Sequence, residues 1–308
     1  MMKRIRTALC LILAAALLAG CAFLPSESEP EALAPADPLT GHPLEWPGQR
    51  PVAVTIENST ASATQWGISS ASVVLEALTE AGMATELCLV YPALAATPKV
   101  GPVAAGQDIY WRLLVGQQPL PVQRGGGQFD QNYLDYYSIR AVDALEAGRT
   151  AFDCGSEWSN APLWYTSGSA VSKVLDALSI SAVLTESRVT SAASAAATSA
   201  SSGSDAVLTV PALLPQEEDG KLPDATAPDA VNVRVCFDDN NATGFAYDPD
   251  SGLYRMFHAD GTPQLDANNG QQAGFDNLLV LFSASALRDD GRTYDFDLSM
   301  GGGVWLNG

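Results

Sequence analysis

Histidine is nearly missing from this 308-residue chain: only His42 and His258 are present. A Ser-His-Asp or Cys-His nucleophilic site would have to recruit His258 from the far end of the chain. Zinc held by its usual His and Cys ligands has too few of them. Nor is there a Gly-x-Ser-x-Gly elbow, a Ser-x-x-Lys, a His-Glu-x-x-His or a phosphate-binding Gly-x-x-x-x-Gly-Lys. Enzymatic activity is therefore left open, with the balance against it, and neither cofactor nor metal is expected.

Basic residues are scarce as well, 16 against 35 acids, for a net charge of −19. Nucleic acid and anionic lipid repel such a chain, so neither is expected as a partner. Cysteine is sparse: beyond Cys10 and Cys21 there are Cys88, Cys154 and Cys236, with no Cys-x-x-Cys. An odd number cannot pair completely within one chain. Cys88 and Cys236 lie in apolar, strand-like runs and read as small buried hydrophobes. Cys154, between Asp153 and Gly155, reads as a loop thiol.

What is present starts at the N-terminus. Lys3, Arg4 and Arg6 precede an apolar run from Ala8 to Leu18, which is a secretory leader. A spanning helix needs about 20 apolar residues, more than this run supplies. Leu18-Ala19-Gly20-Cys21 fits a lipobox, in which the Cys21 thiol is lipidated and cleavage makes Cys21 the new N-terminus. A diacylglyceryl group carries the two chains that stable anchoring takes. Loss of residues 1–20 leaves 13 bases against 35 acids, a mature charge of −22. The expectation is a bacterial lipoprotein, anchored at Cys21 and facing outward from the cell membrane.

Five segments follow: the signal peptide 1–20, a Pro/Glu/Ala-rich disordered tether 21–48, an N-terminal domain 49–185, a Ser/Ala- and acid-rich linker or insertion 186–230, and a C-terminal domain 231–308. Within the tether, order is expected to begin near Pro38-Leu39-Thr40-Gly41. Strand-like Pro51–Ile56 opens the first domain. Residues Ser69–Tyr91 read either as a capped helix or as a hairpin turning at Glu80–Met83, and the β-branched start and Gly82 favour the hairpin. A helix is expected over Asp108–Val115, a strand over Leu120–Gln123, a helix over Phe129–Tyr137, and a helix from Ser169 carrying Val171, Val174, Leu175 and Leu178. This is an α/β (or α+β) domain. The second domain is smaller and β-rich, with strands Val231–Phe237, Gly244–Tyr247, Leu253–His258, Asn277–Ser283 and Tyr294–Leu298 between turn sequences. It stops at Gly308 without a cap or tail, which reads as truncated.

Several groups could carry chemistry. Glu57, Glu76, Glu80 and Glu86 are close enough in sequence for two carboxylates to converge, as glycoside hydrolysis requires. Exposed strand-face positions are the plainer account. Arg124 and Gly125–Gly127 ahead of a helix could present N–H groups to an anion, or simply form a tight turn. Asp248-x-Asp250 and Asp266-x-Asn268 lack the Gly and Glu of a calcium loop and read as hairpin turns. Trp66, Trp111, Trp158, Trp164 and Tyr165 could floor a sugar- or peptide-binding cleft or pack a core.

Taken in order, Pro38–Gly41, Arg50–Val54, Ser69–Glu80, Lys99–Val103, Tyr165–Ser167, Tyr247–Pro249, Asp260-Gly261-x-Pro263, Asp266, Gly270, Asn277–Val280 and Asp290–Arg292 resemble the YerB-like lipoproteins. That bacterial family has N- and C-terminal domains and no known function. The resemblance spans nearly everything from Pro38 onward except the Ser/Ala-rich insertion, and it implies an extracytoplasmic two-domain lipoprotein. This chain departs from the family pattern where members carry cationic or protonatable groups. Ala104-Ala105-Gly106-Gln107 stands for Arg-Ser-Ala-Arg, and Gln123 for a His. Pro162-Leu163-Trp164 lacks the His of Pro-His-Asn-Leu, and Gln264 follows Pro263 where a His is usual. The resemblance thus implies an ancestral electropositive pocket between the domains that this copy has largely lost. The candidate pocket comprises Glu57, Asn58, Glu76, Lys99, Gln107, Gln123, Arg124, Trp164, Tyr165, Gln264 and Asp266. A cell-envelope ligand-binding or scaffolding role is expected, with a wall component or envelope protein as partner. The rival is a cell-wall glycan hydrolase or transferase acting through Glu57 and Glu76.

Overall fold

The computed structural model describes residues 35–58, 65–154, 163–184, 210–214 and 229–307. The leader, Cys21, Trp158 and most of the linker lie outside the described residues.

Strands β1 (Val52–Glu57), β2 (Val73–Ala77), β3 (Glu86–Tyr91), β4 (Leu120–Gln123) and β5 (Val142–Asp143) form one mixed sheet in the order β2-β3-β1-β4-β5. The β2–β3 pair is antiparallel, so the hairpin reading of Ser69–Tyr91 holds and the helix reading does not. β1 pairs antiparallel with β3 and parallel with β4. Both faces of this sheet are covered, which is why β1 and β3 read as nearly continuous apolar runs.

One face carries Val52, Val54, Ile56, Leu87, Leu89 and Tyr91, and packs with Val171, Val174, Leu175 and Leu178 and with Met256 and Phe245 of the second domain. The other carries Ala53, Cys88 and Val90, and packs with helices α1 (Asp108–Leu114) and α2 (Gln128–Tyr136) through Ile109, Tyr110, Trp111, Leu114 and Leu134. Trp111 is therefore a core residue. Two short helices, α3 (Ala144–Ala147) and α4 (Gly168–Val171), complete the domain. The apolar spacing expected of a helix from Ser169 does bury its four residues, but after Val171 the backbone continues as turns.

Some boundaries move. Residues 36–48 join the fold: Ala36 bridges Pro43 and Leu39 lies in the core, so the ordered chain begins well before residue 49. Part of the 186–230 segment is also docked. Val210 is buried, Leu213 donates its N–H to Pro38, and Gln117 Nε2 donates to the Pro211 carbonyl at 3.1 Å.

The second domain is a meander, β6 (Asn232–Cys236), β7 (Ala242–Asp248), β8 (Leu253–Phe257) and β9 (Gly274–Phe275), followed by the long hairpin β10 (Asn277–Leu287) and β11 (Tyr294–Asn307). Those last two strands outrun the expected Asn277–Ser283 and Tyr294–Leu298 because the ladder continues past a register shift at Ser283/Ala284. Cys88 is buried as expected, but Cys236 is exposed, since it alternates outward on the edge strand β6.

The hairpin turn is tied to the first sheet. Arg288 forks onto Asp108 at 2.9 and 2.7 Å, Arg292 reaches Glu80 at 2.6 Å, and Tyr294 donates its N–H to Thr79. Elsewhere Arg50, almost wholly buried, donates to the carbonyls of Gln118, Ser181 and Pro119 at 3.0, 2.7 and 2.7 Å. It thereby joins the start of β1, the approach to β4 and the end of the first domain. We expect Arg50→Met to lower unfolding stability by about 3 kcal/mol, because three carbonyls lose charge-assisted donors. Urea denaturation checks this, and an unchanged midpoint would contradict it.

Candidate functional site

β1 and β4 are parallel neighbours, so their carboxyl ends open at one edge, where open α/β sheets place ligands. Glu57 and Asn58 end β1, and Gln123 and Arg124 end β4. Strips 99–104 and 163–166 run beside them, through hydrogen bonds from the Glu57 N–H to the Pro102 carbonyl, Val103 to Trp164 and Arg124 to Ala104. Gly101 lets the two strips approach: at φ 146° it has no side chain, and a Cβ there would lie 2.7 Å from the Trp164 carbonyl.

Around Gln123 the donors are internally committed, while its Oε1 is buried without a partner among the described residues. Its Nε2 donates to Asp130 at 3.0 Å, and Asp130 also accepts the Trp111 indole N–H at 2.5 Å. Burial pushes the Asp130 carboxyl up to about 6 despite these donors. Gly106 makes room, since a Cβ there would collide with the Gln123 Oε1 and with Asp130. The anion reading of Arg124–Gly127 is met from within the chain, because the Asp143 carboxylate accepts the N–H groups of Gly125 and Leu145 at 2.9 and 2.8 Å.

The second domain contributes Gln264 and Asp266. Gln264 Nε2 donates to Gln65 Oε1, and Gln65 Nε2 donates to the Glu57 carbonyl at 2.6 Å and to Asn58 Oδ1 at 3.0 Å. Asn58 Nδ2 in turn donates to Glu76 at 3.0 Å and to the Thr85 hydroxyl at 2.8 Å. Glu76 also accepts from Thr85 at 2.6 Å and from Thr243, across the domain seam, at 2.7 Å. Burial holds the Glu76 carboxyl above its ordinary value against these donors. Asp266, fully buried, accepts from the N–H groups of Gly67, Ser69 and Asn268 at 3.0, 2.9 and 2.8 Å and from the Ser69 hydroxyl at 2.7 Å. Burial works to raise its carboxyl, but the donors outweigh it and the net shift is downward.

Glu57 and Glu76 do not form a pair. Glu57 stands opposite Glu86, and Glu76 opposite Leu87. Successive strand residues face opposite ways, so Glu57 and Glu76 project from opposite faces of the sheet. Glu86, on the Glu57 face, is pushed up to about 7, first by burial and then by the nearby Glu80 and Glu57, while Thr79 and Gln107 donate to it.

Lys99 and Arg124 lie against rings. Lys99 Nζ is 3.7 Å from the centre of the Trp66 ring and 4.6 Å from that of Tyr165, and the Arg124 guanidinium is 5.0 Å from that of Trp164. Trp164 is buried and Tyr165 half-buried, so the two cations mark separate positions. Of the eleven candidates, then, Gln264, Asn58 and Glu76 share one amide chain, and Gln107 joins Glu57 through Glu86. Asp266 bridges to Gln65 of that amide chain, while Gln123, Lys99 and Arg124 each have their own surroundings. Sequence reading missed Gln65, Thr85, Thr243 and Asp130: Thr85 and Thr243 stand at strand starts, while Gln65 and Asp130 carried no local signal. Among the described residues no group of His, Cys, Asp and Glu could hold a metal.

The model of the N-terminal domain of DUF3048, a protein of unknown function, matches residues 39–181, and that of the DUF3048 C-terminal domain matches residues 232–307. "Putative lipoprotein YerB" of Bacillus subtilis (strain 168) is 25% identical over 281 residues, covering 86% of this chain and 72% of its own. The crystal structure of the YerB protein from Bacillus subtilis has a TM-score of 0.68 at 23% identity, covering 89% of this chain and 83% of that one. That likeness establishes the fold, a mixed sheet with helices followed by a β-rich region.

Two outcomes are expected. Glu86 is protonated in the fold and ionised in the unfolded chain between about pH 4.5 and 7, so its contribution is full below that window and lost as pH rises through it. Glu86→Gln should therefore gain about 2 kcal/mol over the parent at pH 8 relative to pH 4.5, as read from urea midpoints at both pH values. Asp266→Asn should cost about 2–3 kcal/mol at pH 7, since four donors lose their charged acceptor. That cost should shrink in strong acid, below the depressed Asp266 value, and a pH-independent cost would contradict the assignment.

Proposed function

The chain belongs to the DUF3048 family, and from that premise we propose that it is a lipid-anchored, extracytoplasmic protein of the cell envelope that binds or scaffolds rather than catalyses. The Lys3–Cys21 leader supports the anchor, and the name of the Bacillus relative agrees with it. The observation that carries the binding or scaffolding role is the domain seam. Gln264, Gln65, Asn58, Glu76 and Thr243 form one hydrogen-bonded chain across it, which holds two domains as a single body. The glycan hydrolase reading needs Glu57 and Glu76 in one cleft, and their placement on opposite faces of the sheet removes its basis. The partner in this reading is a wall component or another envelope protein, with the membrane engaged through lipid on Cys21.

Cys21→Ser should shift the protein from the membrane fraction to the soluble extracytoplasmic fraction and abolish incorporation of labelled fatty acid. Retention of the variant on membranes with label intact would overturn the anchor.

A further inference from the structure

A second location, apart from the strand ends above, has the form of a ligand site. In the meander, β6 and β7 pair Asn232 with Ala246, Arg234 with Gly244 and Cys236 with Ala242, while β7 and β8 pair Gly244 with Phe257. Neighbours across a ladder share a face, so these residues line the face opposite Phe245 and Met256, which pack in the core. Along the trough the middle strand presents Ala242, Gly244 and Ala246, and past its end Asp248, on the same face, pairs with Arg255 of β8 at 3.3 Å. Larger side chains rise on both sides, Arg234 from β6 and Phe257 from β8, with His258 just beyond. The result is a solvent-open trough of about 330 Å³, within the range of small-molecule sites.

Charge decides what fits. Most described arginines are engaged: Arg112, Arg140, Arg255, Arg288 and Arg292 with carboxylates, Arg50 with carbonyls. Arg234, at the trough wall, has no ion-pair or hydrogen-bond partner among the described residues. Of the carboxylates in the adjoining turns, Asp238 is engaged with Asn240 and Asn241 and Asp260 with Thr262, while Asp239 is exposed to solvent. His258 is half-buried, and burial holds it below its ordinary value, with Asp260 acting the other way. A guanidinium with open donors beside an aromatic ring and a small-residue floor matches an anionic group on an uncharged body.

We propose that this trough binds a small molecule bearing a carboxylate or a phosphate, with the anionic group on Arg234 and the body between Phe257 and the Ala242–Ala246 floor. Gly244 makes a clean test, because a Cβ there would meet only Phe257, at 3.6 Å, so a larger side chain fills the trough rather than the core.

The experiment uses the full chain in detergent micelles with ¹³C-labelled alanine methyls. N-acetylmuramic acid (a carboxylate), N-acetylglucosamine 1-phosphate and neutral N-acetylglucosamine are titrated in turn. At least one of the two anionic probes should shift the Ala242 and Ala246 methyl signals, and bind at least tenfold more tightly than the neutral sugar. Arg234→Ala should weaken that probe at least tenfold and Gly244→Leu should abolish the shifts, with Gly244→Ala intermediate. Lys173→Ala, an exposed base elsewhere, should change nothing. Whichever anionic probe binds identifies the source of the charge. The proposal is overturned if no probe moves the two methyls, if the neutral sugar binds as tightly, or if Arg234→Ala and Gly244→Leu bind like the parent while their methyl spectra remain folded.

Discussion

The structure depends on one half-buried carboxylate at the domain seam. Glu76 sits where β2 of the first domain meets β7 of the second, and an ionisable group can remain there only if donors surround it. Asn58, Thr85 and Thr243 supply them, two from the first domain and one from the second. The donors are themselves oriented. The Asn58 amide is turned by Gln65, and the Gln65 amide by Gln264, so each amide presents its NH₂ group toward Glu76 and its oxygen away from it. Reversing Asn58 or Gln65 would set donor against donor, and reversing Gln264 would set acceptor against acceptor. The chain of groups thereby fixes the relative placement of two domains that are separated by a long stretch of sequence.

Asp266 fastens the same seam a short distance away, by entering the turn at Gly67–Ser69 and accepting its N–H groups. The hairpin turn at Arg292 and the Arg288–Asp108 fork close the other side of the first sheet. Together these contacts leave the second domain clasped on both sides of the β2–β3 hairpin. A protein held in this way presents fixed surfaces, consistent with binding or scaffolding in the envelope. Lys99 and Arg124 lie against rings, and Arg234 is turned to solvent.

Much of the architecture was legible where a local rule decided it. The Leu120–Gln123 strand, the Asp108 helix and the β2–β3 hairpin follow from spacing and turn residues; the structure keeps the first two within about a residue, and the hairpin with its first strand beginning at Val73 instead of Ser69. Local rules failed where a distant partner intervened. Residues 42–48 look like tether by composition, yet they continue the order that begins near Pro38, where Leu39 finds a core position and Pro38 a partner in Leu213. Cys236 looks like a core cysteine, yet β6 is an edge strand and the alternation turns it outward. The Ser169 helix has the right apolar spacing, but burial needs only that the apolar residues share a side, and turns accomplish that too.

The candidate residues divide in the same way. Sequence by itself determined the basic-then-apolar pattern that ends in Cys21, the acidic charge, the absence of the familiar nucleophile and metal motifs, and the order of two domains, because each of these is a property of composition or of short spacing. It also singled out Glu57, Asn58, Glu76, Gln264 and Asp266. Only the tertiary structure decided that Glu57 and Glu76 face opposite ways, that Gln264 reaches Glu76 through Gln65 and Asn58, and that Arg234 overlooks a trough floored by Gly244. Those facts depend on strand register and on contacts between residues up to about two hundred positions apart, and no local preference of the chain encodes them.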